Sequence, residues 1–169
     1  MTVKFQVLAL LIGLFLGLQS CAQPTDSGKK NNIPLSAEVL RNTTHCGDYV
    51  SAPTVLWIQQ PEELKRLYAG FPGIQPHTPP SVDFTSEGVL LIAMGQHPTA
   101  GYGLGFEPGS MQLVDSTLRI TVAWQEPAPG YLQAQVITHP CLLLKLPIVP
   151  FRHIQVLDSE GLMRLQTSR

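Results

Sequence analysis

The sequence predicts a mainly β (α+β) fold, an antiparallel β-sandwich or curled sheet of about seven strands with one short helix packed on it. The 169 residues include 15 prolines and 14 glycines, which favour frequent turns over long helices. Hydrophobic residues make up 44% of the chain, so a chain of this length can bury one core. Several short segments alternate apolar and polar residues with the period of a half-buried strand.

The first predicted elements are a strand and a helix that lie close together in the chain. Residues 55–58, Val-Leu-Trp-Ile, form a short apolar run of residues that favour strands. Residues 61–69 form the predicted helix, because Pro61 suits the first helical position and Gly70 is a natural stop. Its apolar stripe has helical spacing and consists of Leu64, Leu67 and Tyr68. The proline-rich residues 71–80 are predicted to be an extended loop.

The remainder of the chain is predicted to be β structure. Residues 89–94 form an unbroken apolar run, which predicts a central strand covered on both faces. Residues 117–124 alternate cleanly and predict a half-buried strand, and residues 127–130, Pro-Ala-Pro-Gly, predict a turn. Further strands are predicted at residues 102–106, 132–136, 142–146 and 154–156.

The N-terminal segment predicts a targeting signal. An apolar run over residues 5–18 is too short to span a bilayer comfortably and is typical of a signal-peptide core. It leads into Leu-Gln-Ser-Cys at residues 18–21, which resembles a bacterial lipobox. The resemblance implies a signal peptide over residues 1–20 and acylation of Cys21, for example with palmitate. The alternative is an ordinary secreted protein that is cleaved near Ala22 and loses Cys21.

Domain organisation and location follow from this N-terminus. Residues 21–45 are predicted to be the lipidated cysteine and a flexible tether, since their first part is polar and lacks periodicity. Residues 46–169 are predicted to form a single β domain. Ala22 is not the aspartate that retains enteric-type lipoproteins in the inner membrane. The predicted location is therefore the bacterial cell envelope, lipid-anchored in the outer membrane and facing the periplasm.

The remaining cysteines, Cys46 and Cys141, form an even pair in an oxidising compartment, which predicts a disulfide. Two alternatives use the neighbouring histidines. His45 and His139 could complete a metal site with both cysteines, although the spacing in each half is too tight for the usual zinc pattern. Cys141 could instead be a reactive thiol with His139 as its base, although neither lies in a recognisable nucleophile motif.

Charge and motif content exclude several classes of function. The chain has 11 Lys and Arg against 12 Asp and Glu, a net charge of −1, so it lacks the basic surface of nucleic-acid-binding proteins. Metalloprotease, nucleophile-elbow and paired Cys-x-x-Cys motifs are absent from the sequence. We therefore expect no enzyme activity, no catalytic residues, no cofactor, no metal and no small-molecule substrate.

One stretch of the chain carries a resemblance to a known family. Residues 82–84, Val-Asp-Phe, precede the apolar strand, which is followed by Gly95 and by His-Pro-Thr-Ala-Gly-Tyr at residues 97–102. Thr-His-Pro at residues 138–140 and Leu-Pro at residues 146–147 come later. This pattern resembles the C-terminal domain of the PrcB family of protease-complex subunits. The resemblance implies an accessory role in a protease complex.

The segment after the apolar strand is the candidate recognition loop. Its residues are His97, Pro98, Thr99, Ala100, Gly101 and Tyr102. Pro98 and Gly101 make the loop stiff and tightly turned, so it would lose little entropy on binding. The loop is also similar to the Asn-Pro-Thr-Thr-Gly-aromatic loop of chagasin-like cysteine-protease inhibitors, from which it departs at His97 and Ala100. The alternative is a rigid connection between two strands with Tyr102 in the core.

We expect an envelope lipoprotein that acts as a protein-interaction module, as an accessory or scaffold subunit of a secreted or envelope protease. The alternative is a cysteine- or serine-protease inhibitor that uses the 97–102 loop. Exposed His97 and Tyr102 side chains at the loop tip would favour inhibition, whereas a buried Tyr102 would favour a scaffold. An unpaired sheet edge is a further place where a partner strand could bind.

Overall fold

The computed structural model describes residues 32–47, 50–73 and 78–169. Within these residues the chain forms a succession of short strands and one helix. They are β1 (Asn32–Leu35), β2 (Glu38–Thr43), β3 (Thr54–Ile58), α1 (Pro61–Ala69), β4 (Glu87–Ala93), β5 (Gly103–Gly105), β6 (Met111–Val114), β7 (Thr117–Thr121), β8 (Ala123–Gln125), β9 (Cys141–Pro147), β10 (His153–Leu157) and β11 (Met163–Ser168).

Two large open sheets pack face to face as a sandwich. Sheet A has five strands in the order β1-β6-β7-β10-β11, and sheet B has four strands in the order β2-β9-β4-β3. Neighbouring strands are antiparallel except β7 and β10, which are parallel. A small third sheet pairs β5 with β8. The predicted mainly β sandwich with one short helix is therefore confirmed.

Two apolar layers hold the domain together, one between the sheets and one between sheet B and α1. Strand β4 contributes to both, because successive side chains of a strand point to opposite faces. Leu90 and Ile92 lie in the layer between the sheets, and Val89 and Leu91 lie in the layer under α1. All four side chains are fully buried. The prediction of a central strand covered on both faces, at residues 89–94, is confirmed.

Helix α1 begins and ends at the predicted residues. Pro61 occupies the first turn, and two backbone N–H groups close the last turn: that of Gly70 donates to the Leu67 carbonyl at 3.1 Å and that of Phe71 to the Tyr68 carbonyl at 3.2 Å. Leu64, Leu67 and Tyr68 are buried, as their helical spacing predicts. The helix therefore covers the outer face of sheet B with its apolar stripe and leaves its charged side in water.

Two of the predicted strands are wrong in detail. Residues 132–136 form no strand, and Leu132 is completely exposed, at 103% of its reference surface. The predicted strand at residues 117–124 breaks at Val122, whose N–H donates to the carbonyl of Leu157 at 2.9 Å. β7 therefore stays in sheet A, whereas β8 turns away and pairs with β5. The described residues also contain four strands that the alternation did not predict, namely β1, β2, β6 and β11.

The N-terminal part of the described chain belongs to the sandwich. Residues 32–43 were predicted to be tether, but they form β1, which pairs with β6, and β2, which pairs with β9. The folded part therefore begins before Cys46. The predicted signal peptide over residues 1–20, the lipidation site Cys21 and the first part of the tether lie outside the described residues. Among the residues that the structure describes, no helix combines the length and apolar character needed to cross a bilayer.

A charged turn joins β10 to β11. The Asp158 carboxylate accepts hydrogen bonds from the Leu162 N–H at 2.9 Å, the Glu160 N–H at 3.0 Å and Arg164 Nε at 2.8 Å. Arg164 Nη1 also pairs with Glu126 at 3.2 Å. Burial of the Asp158 carboxylate would raise its pKa, but these hydrogen bonds and the Arg164 charge outweigh burial and hold the pKa below the ordinary value of 3.8.

Acid is therefore expected to destabilise the domain partly through Asp158. A carboxylate whose pKa is lowered by folding contributes stability above its ordinary pKa and loses that contribution as the pH falls through the folded-state value. Urea unfolding should show stability declining below about pH 4, and the decline should be shallower in Asp158→Asn. Glu160→Gln, on the same turn, is the matched control and should decline like the wild type. An equal decline in Asp158→Asn would contradict this assignment.

Candidate functional site

One end of sheet B gathers the predicted site residues. β2, β9 and β4 meet there in register, with Thr43 opposite Cys141 and Cys141 opposite Ala93. The segments that leave β2 and β4 at this end carry Cys46 and the 97–102 loop, and the segment that enters β9 runs beside them. Three chain segments that are distant in sequence therefore meet at one end of the sandwich.

The predicted disulfide between Cys46 and Cys141 is present at this end. The two Cα atoms are 5.7 Å apart, and both residues are fully buried. Backbone hydrogen bonds flank the bridge: the Cys46 N–H donates to the His139 carbonyl at 2.8 Å, and the His139 N–H donates to the Thr44 carbonyl at 2.8 Å. Because the two sulfurs are bonded to each other, neither can serve the alternative metal site with His45 and His139 or the alternative reactive thiol.

The residues that the structure describes contain no other arrangement suited to a metal. Within them, no group of three or more His, Cys, Asp and Glu side chains is placed to hold an ion. His45 and His139, the histidines beside the disulfide, pair with each other through their backbones, in an isolated parallel β-bridge.

The 97–102 loop is held by the segment that precedes β9. The His97 N–H donates to the Thr138 carbonyl at 2.8 Å, and the Thr138 N–H donates back to the His97 carbonyl at 2.9 Å. The Thr138 hydroxyl donates to the Thr99 carbonyl at 3.1 Å. The Ala100 N–H donates to the Ala134 carbonyl at 3.0 Å. These four hydrogen bonds fix the loop against its neighbour, so its conformation is largely set before any partner arrives.

The two rings of the loop stack on each other. The His97 imidazole and the Tyr102 phenol lie with their centroids 3.7 Å apart and their planes 14° from parallel. Both residues are half-buried, and Tyr102 packs against the layer between the sheets. Pro98, in contrast, is exposed at the tip of the loop. The loop therefore presents Pro98 to solvent, while its two rings are half-buried beneath it.

Two glycines allow the chain to reverse on either side of this loop. Gly95 has φ +82°, and a Cβ there would lie 2.7 Å from the Pro53 backbone nitrogen. Gly101 has φ +98°, and a Cβ there would lie 2.9 Å from the Pro127 Cβ. Residues other than glycine rarely adopt such φ values. At these two positions a side chain would also collide with neighbouring atoms. Both positions therefore require glycine.

An exposed apolar patch lies next to the loop, and sequence analysis missed it. It consists of Tyr131, Leu132, Val136 and Ile137. Tyr131 is 75% exposed and Ile137 is 55% exposed. Alternation had placed Leu132 and Val136 on the buried face of a strand, but alternation does not show which face is covered. The preceding Pro-Ala-Pro-Gly turn at residues 127–130 was the sequence signal that favoured a loop here.

The Asp-Phe pair of the motif has a structural role. The Asp83 carboxylate accepts hydrogen bonds from the Thr85 hydroxyl at 2.6 Å, the Ser86 hydroxyl at 2.8 Å and the Thr85 N–H at 3.1 Å. These hydrogen bonds lower the pKa of Asp83 below its ordinary value, the Thr85 hydroxyl contributing most. Phe84 packs against the apolar layer under α1. The pair therefore builds the turn into β4, and Phe84 lies 13 residues before His97, the first residue of the loop.

The fold and the site together define a disulfide-linked β-sandwich whose braced loop adjoins an exposed apolar patch. The family model of the PrcB C-terminal domain matches residues 89–147. This segment runs from β4 through the loop and the patch to β9. The match confirms, over these residues, the family that the motif resemblance indicated, and it is consistent with an accessory role in a protease complex. No curated protein and no solved structure matches the chain.

Proposed function

We propose that this chain is a non-enzymatic protein-interaction module, an accessory or scaffold subunit of a secreted or envelope protease. The observation that carries the proposal is the braced 97–102 loop beside the exposed patch of Tyr131, Leu132, Val136 and Ile137. Apolar residues clustered at a surface are typical of protein-binding sites. The match to the PrcB C-terminal domain over residues 89–147 supports a protease complex as the setting.

Rigidity supports binding at this site. Because four hydrogen bonds already hold the loop and the patch segment together, binding would order little additional backbone. Tyr131 can supply a large contact area with only two rotatable side-chain bonds. The partner surface expected here is an apolar hollow with backbone groups at its rim, able to accept Leu132 and contact Pro98.

The membrane anchor is part of the same proposal. The Leu-Gln-Ser-Cys sequence at residues 18–21 supports acylation of Cys21 and attachment to the outer membrane, facing the periplasm. Residues 22–31 would then separate the lipid from β1. A tether of ten residues can extend to roughly 35 Å, which would let the loop and the patch reach a protease in the same envelope.

Protease inhibition through the 97–102 loop is the second candidate function. Its support is the similarity of the loop to that of chagasin-like inhibitors and the exposed position of Pro98 at the tip. The half-burial of His97 and Tyr102 fits a structural anchor better than a loop whose side chains fill a cleft. Accessory binding is therefore the function that the geometry favours.

The substitution Leu132→Asp tests the patch directly. Leu132 is 103% exposed, so the change should leave the fold intact while placing a charge at the centre of the contact. Envelope membranes carrying the full chain would be cross-linked, and the protein would be recovered with its partners for mass spectrometry. The variant is expected to lose the protease by about tenfold or more relative to the wild type.

Leu162→Asp provides the matched control, because Leu162 is also exposed, at 57%, but lies in the turn between β10 and β11. It should recover the protease as the wild type does. Equal recovery by the Leu132→Asp variant would contradict the patch as the binding surface. The recovered complex is then assayed for peptidase activity: a rise or no change on binding fits an accessory subunit, and a loss that His97→Ala relieves fits an inhibitor.

A further inference from the structure

The two large sheets have four edge strands among the described residues, β1 and β11 in sheet A and β2 and β3 in sheet B. Natural edge strands usually carry features that prevent pairing with another chain. β1 contains Pro34, and β2 contains Glu38 and a register shift between Val39 and Arg41. β11 contains Arg164 and faces a register shift in β10. Three of the four edges are therefore protected.

Strand β3 carries none of these features. Its sequence, Thr-Val-Leu-Trp-Ile, has neither a charge nor a proline. It pairs with β4 without a register shift, from Thr54 opposite Ala93 to Ile58 opposite Val89. Within residues 32–47, 50–73 and 78–169, no strand pairs with its other side. An edge strand of this kind offers a straight row of backbone N–H and C=O groups to another strand.

The side chains of β3 leave this edge accessible. The Trp57 indole lies over β4, since a Cβ on Gly88 would be only 2.3 Å from it. It also packs edge-on against Phe151, with ring centroids 5.3 Å apart. The bulkiest side chain of the strand therefore points away from the edge. Leu56, at the middle of the strand, is 41% exposed although it is aliphatic.

A groove lies on each side of this edge. The first, of about 240 Å³, is lined by Leu56, Ile58 and by Glu63 and Arg66 of α1. The second, of about 250 Å³, lies between β3 and β11 and is lined by Val55 and Thr167 among others. Side chains of an added strand alternate between the two sides of the sheet. Such a strand would therefore place successive side chains in one groove and then the other.

We propose that the β3 edge pairs with the β3 edge of a second copy of this chain, antiparallel and about a two-fold axis near Leu56. Sheet B would then continue through the interface as one sheet of eight strands, twice the four of a single copy. All five residues of β3 would face the five of the other copy, with Leu56 opposite Leu56 of the second copy. This surface is separate from the loop and patch proposed for the protease.

Charge supports a second copy as the occupant. The two-fold axis of an antiparallel sheet extension is perpendicular to the sheet, so the two α1 helices lie antiparallel on the same face. Glu63 and Arg66 line the groove and are one helical turn apart, so each would meet the oppositely charged residue of the other copy. A net charge of −1 per chain adds little repulsion between copies. The edge is therefore complementary to itself in charge.

Native mass spectrometry of the full chain released from detergent micelles tests this pairing. The wild type is expected to be a dimer at micromolar concentration. Leu56→Lys places two like charges opposite each other on a buried edge and should raise the dimer dissociation constant by about tenfold or more. Val39→Lys is the matched control, since Val39 is 44% exposed on the β2 edge of the same sheet, and it should remain a dimer.

Two further variants locate the contact. Leu56→Cys should form a disulfide between copies in intact membranes, seen as a dimer band on a non-reducing gel, and Val39→Cys should not. Glu63→Arg and Arg66→Glu should each weaken the dimer, and the double variant should restore it. A monomeric wild type would overturn the proposal and leave the β3 edge to a strand of a different protein. A dimer that Leu56→Lys and Val39→Lys weaken equally would also overturn it.

Discussion

Replacing Cys46 and Cys141 together by alanine is expected to lower the free energy of unfolding by about 4–5 kcal/mol. The bridge joins residues 95 apart, and a cross-link of that span removes much conformational freedom from the unfolded chain. The loss would be a large part of the roughly 5–15 kcal/mol that a domain of this size possesses. Urea unfolding of the oxidised wild type and of the variant measures the difference.

The single variants provide the control for this prediction. Cys46→Ala and Cys141→Ala each open the same bridge, so each should lose nearly as much stability as the double variant. Both residues are fully buried, so mild reductant should leave the folded wild type oxidised, while the same reductant in urea should reproduce the loss. A loss below about 1 kcal/mol in the double variant would show that the bridge contributes little to stability.

The substitution Gly95→Ala is expected to destabilise the domain by roughly 3–5 kcal/mol and to displace the 97–102 loop. Gly95 has φ +82°, and an added Cβ would lie 2.7 Å from the Pro53 nitrogen and 2.8 Å from the Ala52 carbonyl carbon. These are backbone atoms, which cannot rotate aside. Because Gly95 lies two residues before the loop, protease recovery in the cross-linking experiment should fall together with stability.

Gly109→Ala is the matched control for this substitution. Gly109 has φ +87°, close to that of Gly95, but a Cβ there would meet nothing within 4 Å. The Gly109→Ala variant should therefore lose only the stability that a positive φ costs a residue with a Cβ, about 1–2 kcal/mol. It should still recover the protease in the cross-linking experiment. The difference between the two variants isolates the collision with Pro53. Equal losses in urea unfolding would mean that the turn at Gly95 adjusts to a side chain.

Local patterns predicted the elements whose environment is uniform along their length. The helix at residues 61–69 could be predicted because its proline, its stop at Gly70 and its apolar stripe all indicate the same boundaries. The central strand could be predicted because an apolar run as long as residues 89–94 has to be buried on both faces. The 97–102 loop was predicted as one stiff, tightly turned segment. The sequence left open whether its Tyr102 ring lies in the core or is exposed at the loop tip.

The strands at the borders of the sandwich could not be predicted in the same way. β1 and β11 are edge strands with mixed polarity, so neither an apolar run nor strict alternation marks them. The break at Val122 follows from competition between sheets, because β8 finds its partner in β5, which is far away in sequence. Exposure of the patch at residues 131–137 likewise depends on what the rest of the chain leaves uncovered.

The sequence alone determined the class of fold, the helix, the central strand at residues 89–94, the cysteine pair and the family of residues 89–147. Each of these depends on residue types or on periodicity within a single segment. Only the tertiary structure decided which strands pair, that Leu132 is exposed, that the loop is braced through Thr138, and that β3 forms an unprotected edge. The physical reason is that a side-chain pattern records the direction in which residues point, whereas burial and pairing depend on which distant segment lies there.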